Sequence, residues 1–244
     1  MANSALLRNA DPLDQDIKEK HATFKNDITN QALDFIRDKI PRKILHFNQL
    51  IKENSFKGNV YNWDDLDNVS YRAAPIDEYR SKRKKKSLDE DDFQMQTPVH
   101  KQILEKLQNI KNEVADFTEM MGIIRLWIQL NVPRIEDGNN FGVGIQEDVI
   151  GELNRVDEGI YSSHDMVFKY YMARAKLWTK VLKYPNVSDY SEAIRELDEK
   201  QWVHIKFIYT EIRNNYSMLY DLICKNWQKI VKPKSDDGGS RMTF

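Results

Sequence analysis

Apolar residues recur at steps of three and four along four stretches of the chain, and no alternating run of strand character separates them. In the first stretch Ile17, His21, Phe24, Ile28, Ala32 and Phe35 form one stripe, which resumes at Ile40, Ile44, Phe47 and Ile51. Pro41 lies inside it. A proline lacks the N–H and crowds the carbonyl four residues back, so a kink or a local break in the helical ladder is expected there. The second stretch opens with Thr97 as N-cap and Pro98 at the first helical position, a favoured start. Val99, Ile103, Leu107, Ile110, Val114, Phe117, Met121, Ile124 and Ile128 then run without interruption toward Pro133; ~35 helical residues would span ~50 Å. The third stretch runs from about Gln146 to Tyr184, carried by Val149, Leu153, Val156, Ile160, Ser163, Val167, Tyr170, Leu177 and Val181, and Pro185 stops it. The fourth begins near Asp189, with Glu192 placed to complete a capping box. It continues through Ile194, Leu197, Ile205, Ile208, Ile212, Tyr216, Leu219, Ile223 and Ile230 and ends before Pro233.

Four long helices with short links after the second and third predict an all-α fold, an antiparallel four-helix bundle of long helices in a single domain. Composition agrees. The chain has only nine glycines and seven prolines in 244 residues, well below the usual share of about 12% for the pair, which leaves too few turns for a sandwich or barrel. Hydrophobic residues make up 41% and charged ones 31%, the mixture of helices with one apolar stripe. Ile123, Leu126, Trp127, Leu130, Trp178, Trp202 and Phe207 lie off the stripes and exceed what one narrow seam needs. They read as a self-association face, although wider cores would also absorb them.

Charge and cysteine content remove several function classes. With 37 basic and 38 acidic residues the net charge is −1, so no global field favours nucleic acid or an anionic membrane. The lone Cys224 excludes an intrachain disulfide framework and any CxxC site, and its place beside Ile223 reads as buried and inert. The longest apolar stretch, Met120 to Leu130, is interrupted by Arg125 and Gln129 and is too short to span a bilayer. The N-terminus has no signal-like core. A soluble intracellular chain, cytoplasmic or nuclear, is expected.

Nor do the motifs point to catalysis. The five histidines (His21, His46, His100, His164 and His204) are dispersed, and His21 and His204, on or beside apolar stripes, read as hydrogen-bonded packing residues. No HExxH, GxSxG or P-loop occurs, so neither catalytic residues nor a cofactor are expected. Asp137, Asn139, Gly142 and Asp148 fall at positions 1, 3, 6 and 12 of a calcium loop, but Phe141 at position 5 offers no oxygen and position 12 lacks the bidentate glutamate. No metal is assigned.

Three stretches lack helical pattern. Asn54 to Gln96 carries the basic run Lys82 to Lys86 and then Asp89 to Asp92, and such like-charge blocks favour a solvated linker or a nuclear-import patch. Between the second and third helices, residues 131–145 gather Gly138, Gly142 and Gly144 with Asp137, Asn139 and Asn140. These residues allow tight backbone turns, and a link of about 15 residues exceeds the 2–8 that suffice between bundle helices. The stretch reads either as a shaped contact loop or as an ordinary connector. The tail 232–244 places a Gly-Gly-Ser spacer before Arg241, Met242, Thr243 and Phe244, and reads either as a disordered end or as a tether whose tip docks in a cation-lined pocket.

The run Pro133-Arg134-Ile135-Glu136-Asp137-Gly138-Asn139-Asn140-Phe141-Gly142-Val143 closely resembles the activation loop of the 11S (REG) proteasome activators. Ile40-Pro41-Arg42-Lys43-Ile44, Glu196-Leu197-Asp198-Glu199, Glu211-Ile212-Arg213-Asn214, Lys225-Asn226-Trp227 and Lys232-Pro233 extend the resemblance over the whole chain except the charged linker. It implies a single four-helix activator domain that assembles into a homo-heptameric ring. It further implies tails, tipped here by Met242, Thr243 and Phe244, that insert between α-subunits of the 20S proteasome core. Activation loops would then hold the entry gate open without ATP. Arg134, Glu136, Asp137, Gly138, Asn139, Asn140, Phe141 and Gly142 would form that loop, with Asn139 foremost. The other reading is a helical oligomeric scaffold or adaptor that acts on no protease.

Overall fold

In a computed structural model the described residues are 15–53, 100–134 and 140–234, and every element among them is helical. Helix α1 spans Gln15–Asp34, a π-helical turn Phe35–Lys39, α2 Ile40–Glu53, α3 Lys101–Leu130, α4 Phe141–Lys183, α5 Ser188–Lys225 and α6 Trp227–Val231. The linker expected over 54–96, with the start signal Thr97 and Pro98, lies outside the described residues. These residues form two compact units, one from 15–42, 119–134, 140–155 and 217–234, the other from 43–53, 100–118 and 156–216. No helix among them is long and apolar enough to cross a membrane.

The first unit packs α1 and the π turn with the end of α3, the start of α4 and the end of α5. Its core includes Ile28, Ala32, Ile124, Ile128, Leu153, Leu219 and Ile223, all buried as their spacing predicts. The stripe of α1 reaches the core only in its second half, since Ile17 is 51% and Phe24 49% exposed and His21 is exposed too. Pro41 acts through the turn before it. The amide of Ile40 bonds to the carbonyl of Phe35, five residues back, and the widened turn lets the consecutive Phe35 and Ile36 both be buried. A π turn is one of the few ways a helix absorbs such a break without ending. On the neighbouring helix, Lys25 Nζ donates to the Leu130 carbonyl at 2.8 Å, satisfying an orphan acceptor at the end of α3.

In the second unit the stripe of α3 is buried from Ile103 to Phe117. His100 caps its described start: the Ile103 amide donates to His100 Nδ1 at 3.2 Å. Phe47, Phe117, Tyr209 and Tyr216 form an aromatic cluster with ring centroids 4.7–6.4 Å apart. Lys43 bridges from α2 to Glu113 at 2.6 Å and Asp116 at 3.0 Å on α3. Trp178 and Trp202, with Trp127 in the first unit, are buried. The wider core thus absorbs the tryptophans that the sequence had suggested for a self-association face. Phe207 stays 62% exposed.

The second unit also buries charge. Asp198 on α5 is wholly buried and faces Arg174 on α4, whose Nε lies 2.9 Å from Oδ1, while Nη2 lies 3.2 Å from Oδ2. Tyr170 donates its hydroxyl to Asp198 Oδ1 at 2.9 Å. Burial first, then the Asp198 charge, holds the Tyr170 hydroxyl far above its usual range of ionisation. Asp198→Ala leaves Arg174 buried without its counter-ion and is expected to cost about 3–5 kcal/mol, whereas replacing both members by apolar residues recovers most of the loss. Urea unfolding of the single and double variants checks this; a single-variant cost below about 1 kcal/mol would refute it.

Next to it, Glu199 is buried and paired with Arg195. Burial pushes its carboxyl up to about 7; Arg195 opposes the rise, and the charges of Glu196, Glu192 and Asp198 add to it. The folded state therefore holds a proton that the unfolded chain releases near 4.5. Stability from this group is lost as pH rises from about 4.5 to about 7 and is flat above that. Relative to the wild type, Glu199→Gln is expected to gain stability progressively across that window, read as the difference in unfolding midpoint between pH 5 and pH 8. A difference independent of pH would contradict the assignment. Glu192 forms no capping box with Asp189, because α5 already starts at Ser188 and Asp189 lies within its first turn; its carboxylate instead accepts from Arg195 Nε at 3.0 Å.

The fourth stripe ends differently from its pattern. Asn226 Nδ2 donates to the Leu222 carbonyl at 2.9 Å, side-chain competition of the kind that interrupts helices. A single non-helical residue then separates α5 from α6, where Trp227 stacks on Trp127 at 5.7 Å and Ile230 is buried. Cys224, expected to be buried, is exposed.

Candidate functional site

The link between α3 and α4 and the root of the C-terminal tail belong to the same unit, and the site is built from their ends. Helix α3 closes with two tightened bonds, Asn131 N–H to the Ile128 carbonyl at 3.0 Å and Val132 N–H to Gln129 at 3.2 Å; Pro133 follows, and prolines are common just past a helix end. Helix α4 starts at Phe141, five residues earlier than the periodicity suggested. The Gly144 amide bonds to the Asn140 carbonyl at 3.0 Å, which places Asn140 at the N-cap. The expected link 131–145 is therefore trimmed at its far end, because 141–145 belong to the start of α4; of the rest, 131–134 and 140 are described and are not helical.

Of the predicted loop residues, Arg134, Asn140 and Phe141 are exposed, Phe141 at 68%, and Gly142 is buried. Glu136, Asp137, Gly138 and Asn139 lie outside the described residues, as do Met242, Thr243 and Phe244 of the tail. Residues 141–148 are helical, so the calcium-loop alignment through Asp148 cannot fold as a twelve-residue ion loop. Among the described residues no cluster of His, Cys, Asp and Glu could hold a metal ion.

Gly142 is glycine for a packing reason. A Cβ there would lie 2.0 Å from the Pro233 carbonyl oxygen and 2.8 Å from its Cα, so the tail root rests directly on the backbone of the first turn of α4. One turn on, the fully buried Gln146 donates through Nε2 to the Ile230 carbonyl at 2.8 Å and to the Asn131 carbonyl at 3.4 Å. Lys234 Nζ donates to the Arg134 carbonyl at 3.4 Å. The residues that precede the loop (Asn131 and Arg134), those that follow it (Gly142 and Gln146) and those that precede the tail (Ile230, Pro233 and Lys234) therefore form one frame.

Sequence reasoning placed the loop and the tail as separate elements. It passed over Gln146 as a helix start and Pro233 as a helix stop. The one local signal was the glycine at 142 beside a helix start, where turn chemistry alone did not require it. Among the described residues the arrangement brings together backbone carbonyls, the Gln146 amide and the Lys234 ammonium. It offers two peptide segments presented from a shared, buried base, which suits contact with another protein.

Two family models match the chain: Proteasome activator PA28, N-terminal, over residues 15–62, and Proteasome activator PA28, C-terminal, over residues 96–240. The human proteasome activator complex subunit 3 is 32% identical over 249 residues, covering 92% of this chain and 96% of its own length. Among solved structures, the 11S subunit PA28 of the Plasmodium falciparum proteasome superposes with a TM-score of 0.76 at 52% identity, covering 93% of this chain and 98% of that one. PA26 from Trypanosoma brucei, solved in complex with the yeast 20S proteasome, shares the fold at a TM-score of 0.54 and 14% identity, over 86% of this chain and 88% of that one.

Proposed function

The chain belongs to the PA28 proteasome activator family, a family of regulators rather than catalysts, and from that premise we propose that it opens the 20S proteasome core without ATP. Seven protomers of 28.9 kDa assemble into a ring. Their C-terminal tips, Met242 to Phe244, dock between α-subunits, and their loops, Arg134 to Phe141 with Asn139 foremost and Gly142 holding the base against Pro233, press the gate segments into the open arrangement. Peptide entry and hydrolysis rise as a result. The site of action is the cytoplasm, the nucleus or both.

The observation that carries this reading is the shared frame of loop flanks and tail root. Gate opening needs a docking element and a pushing element at a defined separation, and Gly142 against Pro233, with Gln146 between Asn131 and Ile230, holds their bases together. The division of labour follows from energetics. One short tip binds weakly, but seven on one ring gain a high effective concentration. Only contacts that favour the open gate over the closed one can shift the gate equilibrium.

The test is fluorogenic peptide hydrolysis by a latent 20S core of the same origin, with and without the protein and without nucleotide. A rise that depends on the tail establishes the activity. No rise from a ring of verified native mass would instead point to a scaffold or adaptor that acts on no protease.

A further inference from the structure

Gln146 is wholly buried, yet its amide is only half satisfied: Nε2 serves two carbonyls, while Oε1 has no partner among the described residues. A buried amide oxygen without a donor is unfavourable, and a leucine of similar volume would pack at this position without that cost. What a leucine could not do is tie Asn131, at the entry to the loop, to Ile230, at the root of the tail. The second tie is backbone on backbone. Gly142 meets the Pro233 carbonyl with no side chain between them, so neither partner has a rotamer through which to yield. The third, Lys234 Nζ on the Arg134 carbonyl, closes the frame on the other flank of the loop. Beside them, Trp227 stacked on Trp127 holds α6 against the end of α3.

We propose that Gly142 and Gln146 are positioning residues that make the loop base and the tail root one mechanical body, so that the seating of the tail on a partner sets where the loop is presented. This rests on the activator reading for its consequence and on the geometry alone for the coupling. Contact carries the first step and covalent continuity the second: a displacement of Pro233 toward Gly142 is passed to Gly142, and the chain passes it on to Asn140, from which the loop departs.

The test uses the full-length protein with Gly142→Ala, which forces Pro233 away, and Gln146→Leu, which keeps the volume and removes both donated bonds. Amide hydrogen exchange is followed in the protein alone. In Gly142→Ala it is expected to quicken at least tenfold at 131–134 and at 230–234 together, although the added methyl group abuts only Pro233; in Gln146→Leu the same two segments are expected to respond. With a latent 20S core, the plateau of peptide hydrolysis is expected to fall at least fivefold while the half-saturating concentration moves less than twofold. Such a split is one that a merely structural role would not produce.

Quickened exchange confined to 232–234 in Gly142→Ala would show that the two elements move independently and would overturn the proposal. So would a plateau and a half-saturating concentration that worsen together with loss of the ring. Wild-type protein that never stimulates the core would remove the activator reading, while the exchange data would still decide the coupling.

Discussion

Asn139→Trp is expected to abolish stimulation of peptide hydrolysis while leaving ring assembly and core binding at wild-type levels. Moving a gate from 1:99 closed to 99:1 open takes about 5.5 kcal/mol of differential contact, or about 0.8 kcal/mol from each of seven loops. So small a share per loop rests on one or two well-placed contacts. Asparagine combines a short amide with tolerance of left-handed backbone, and tryptophan has neither. The measurements are native mass, core binding and hydrolysis by a latent core with a saturating amount of the variant. Full stimulation by Asn139→Trp would show that the loop is not the pushing element. Loss of core binding would show that the loop is also a docking element, contrary to the division of labour argued above.

Deleting Met242 to Phe244 is expected to have the opposite signature, with association lost and the ring intact. A tip binding at about millimolar strength contributes about 4 kcal/mol of standard free energy by itself. Through the ring, every further tip binds at the effective concentration set by its tether. Removing the tip from all seven protomers therefore removes the whole product of these terms, so binding should fall below detection at micromolar protein. Co-sedimentation of the truncated ring with the core provides the measurement. Unchanged association would exclude the tail as the docking element and leave the loop flanks as the remaining contact.

The helix faces were largely legible. Ile103, Leu107, Ile110, Phe117, Ile124 and Ile128 are each fully buried on α3, because a 3.6-residue period is a local property that any burying partner will use. The same holds for Leu153, Val156 and Ile160 on α4 and for Ile205, Ile212 and Leu219 on α5. Where the pattern misled, the missing information was the partner. Ile17 and Phe24 continue the stripe of α1 yet are exposed, and Trp127, Trp178 and Trp202 lie off their stripes yet are buried. In both cases the width of the neighbouring core decided the outcome. Pro41 was read correctly as a disturbance, but its form, a π turn that buries Phe35 beside Ile36, depended on what that face had to fill. Arg174 stands in an apolar stripe of α4 and could not be read as buried until Asp198 was placed opposite it on α5.

By itself, then, the sequence determined the helical class, the core faces of the long helices and, through the run from Pro133 to Val143 and its companions, the family. Each of these is written in residues close along the chain or in their order. Only the tertiary structure decided that loop and tail share a base. The contacts that make it so, Gly142 with Pro233, Gln146 with Ile230 and Arg134 with Lys234, join positions 84 to 100 residues apart. They arise where helix ends converge. Helix-end contacts have no period along the chain, and backbone approaches of this kind leave no more trace in a sequence than a single glycine.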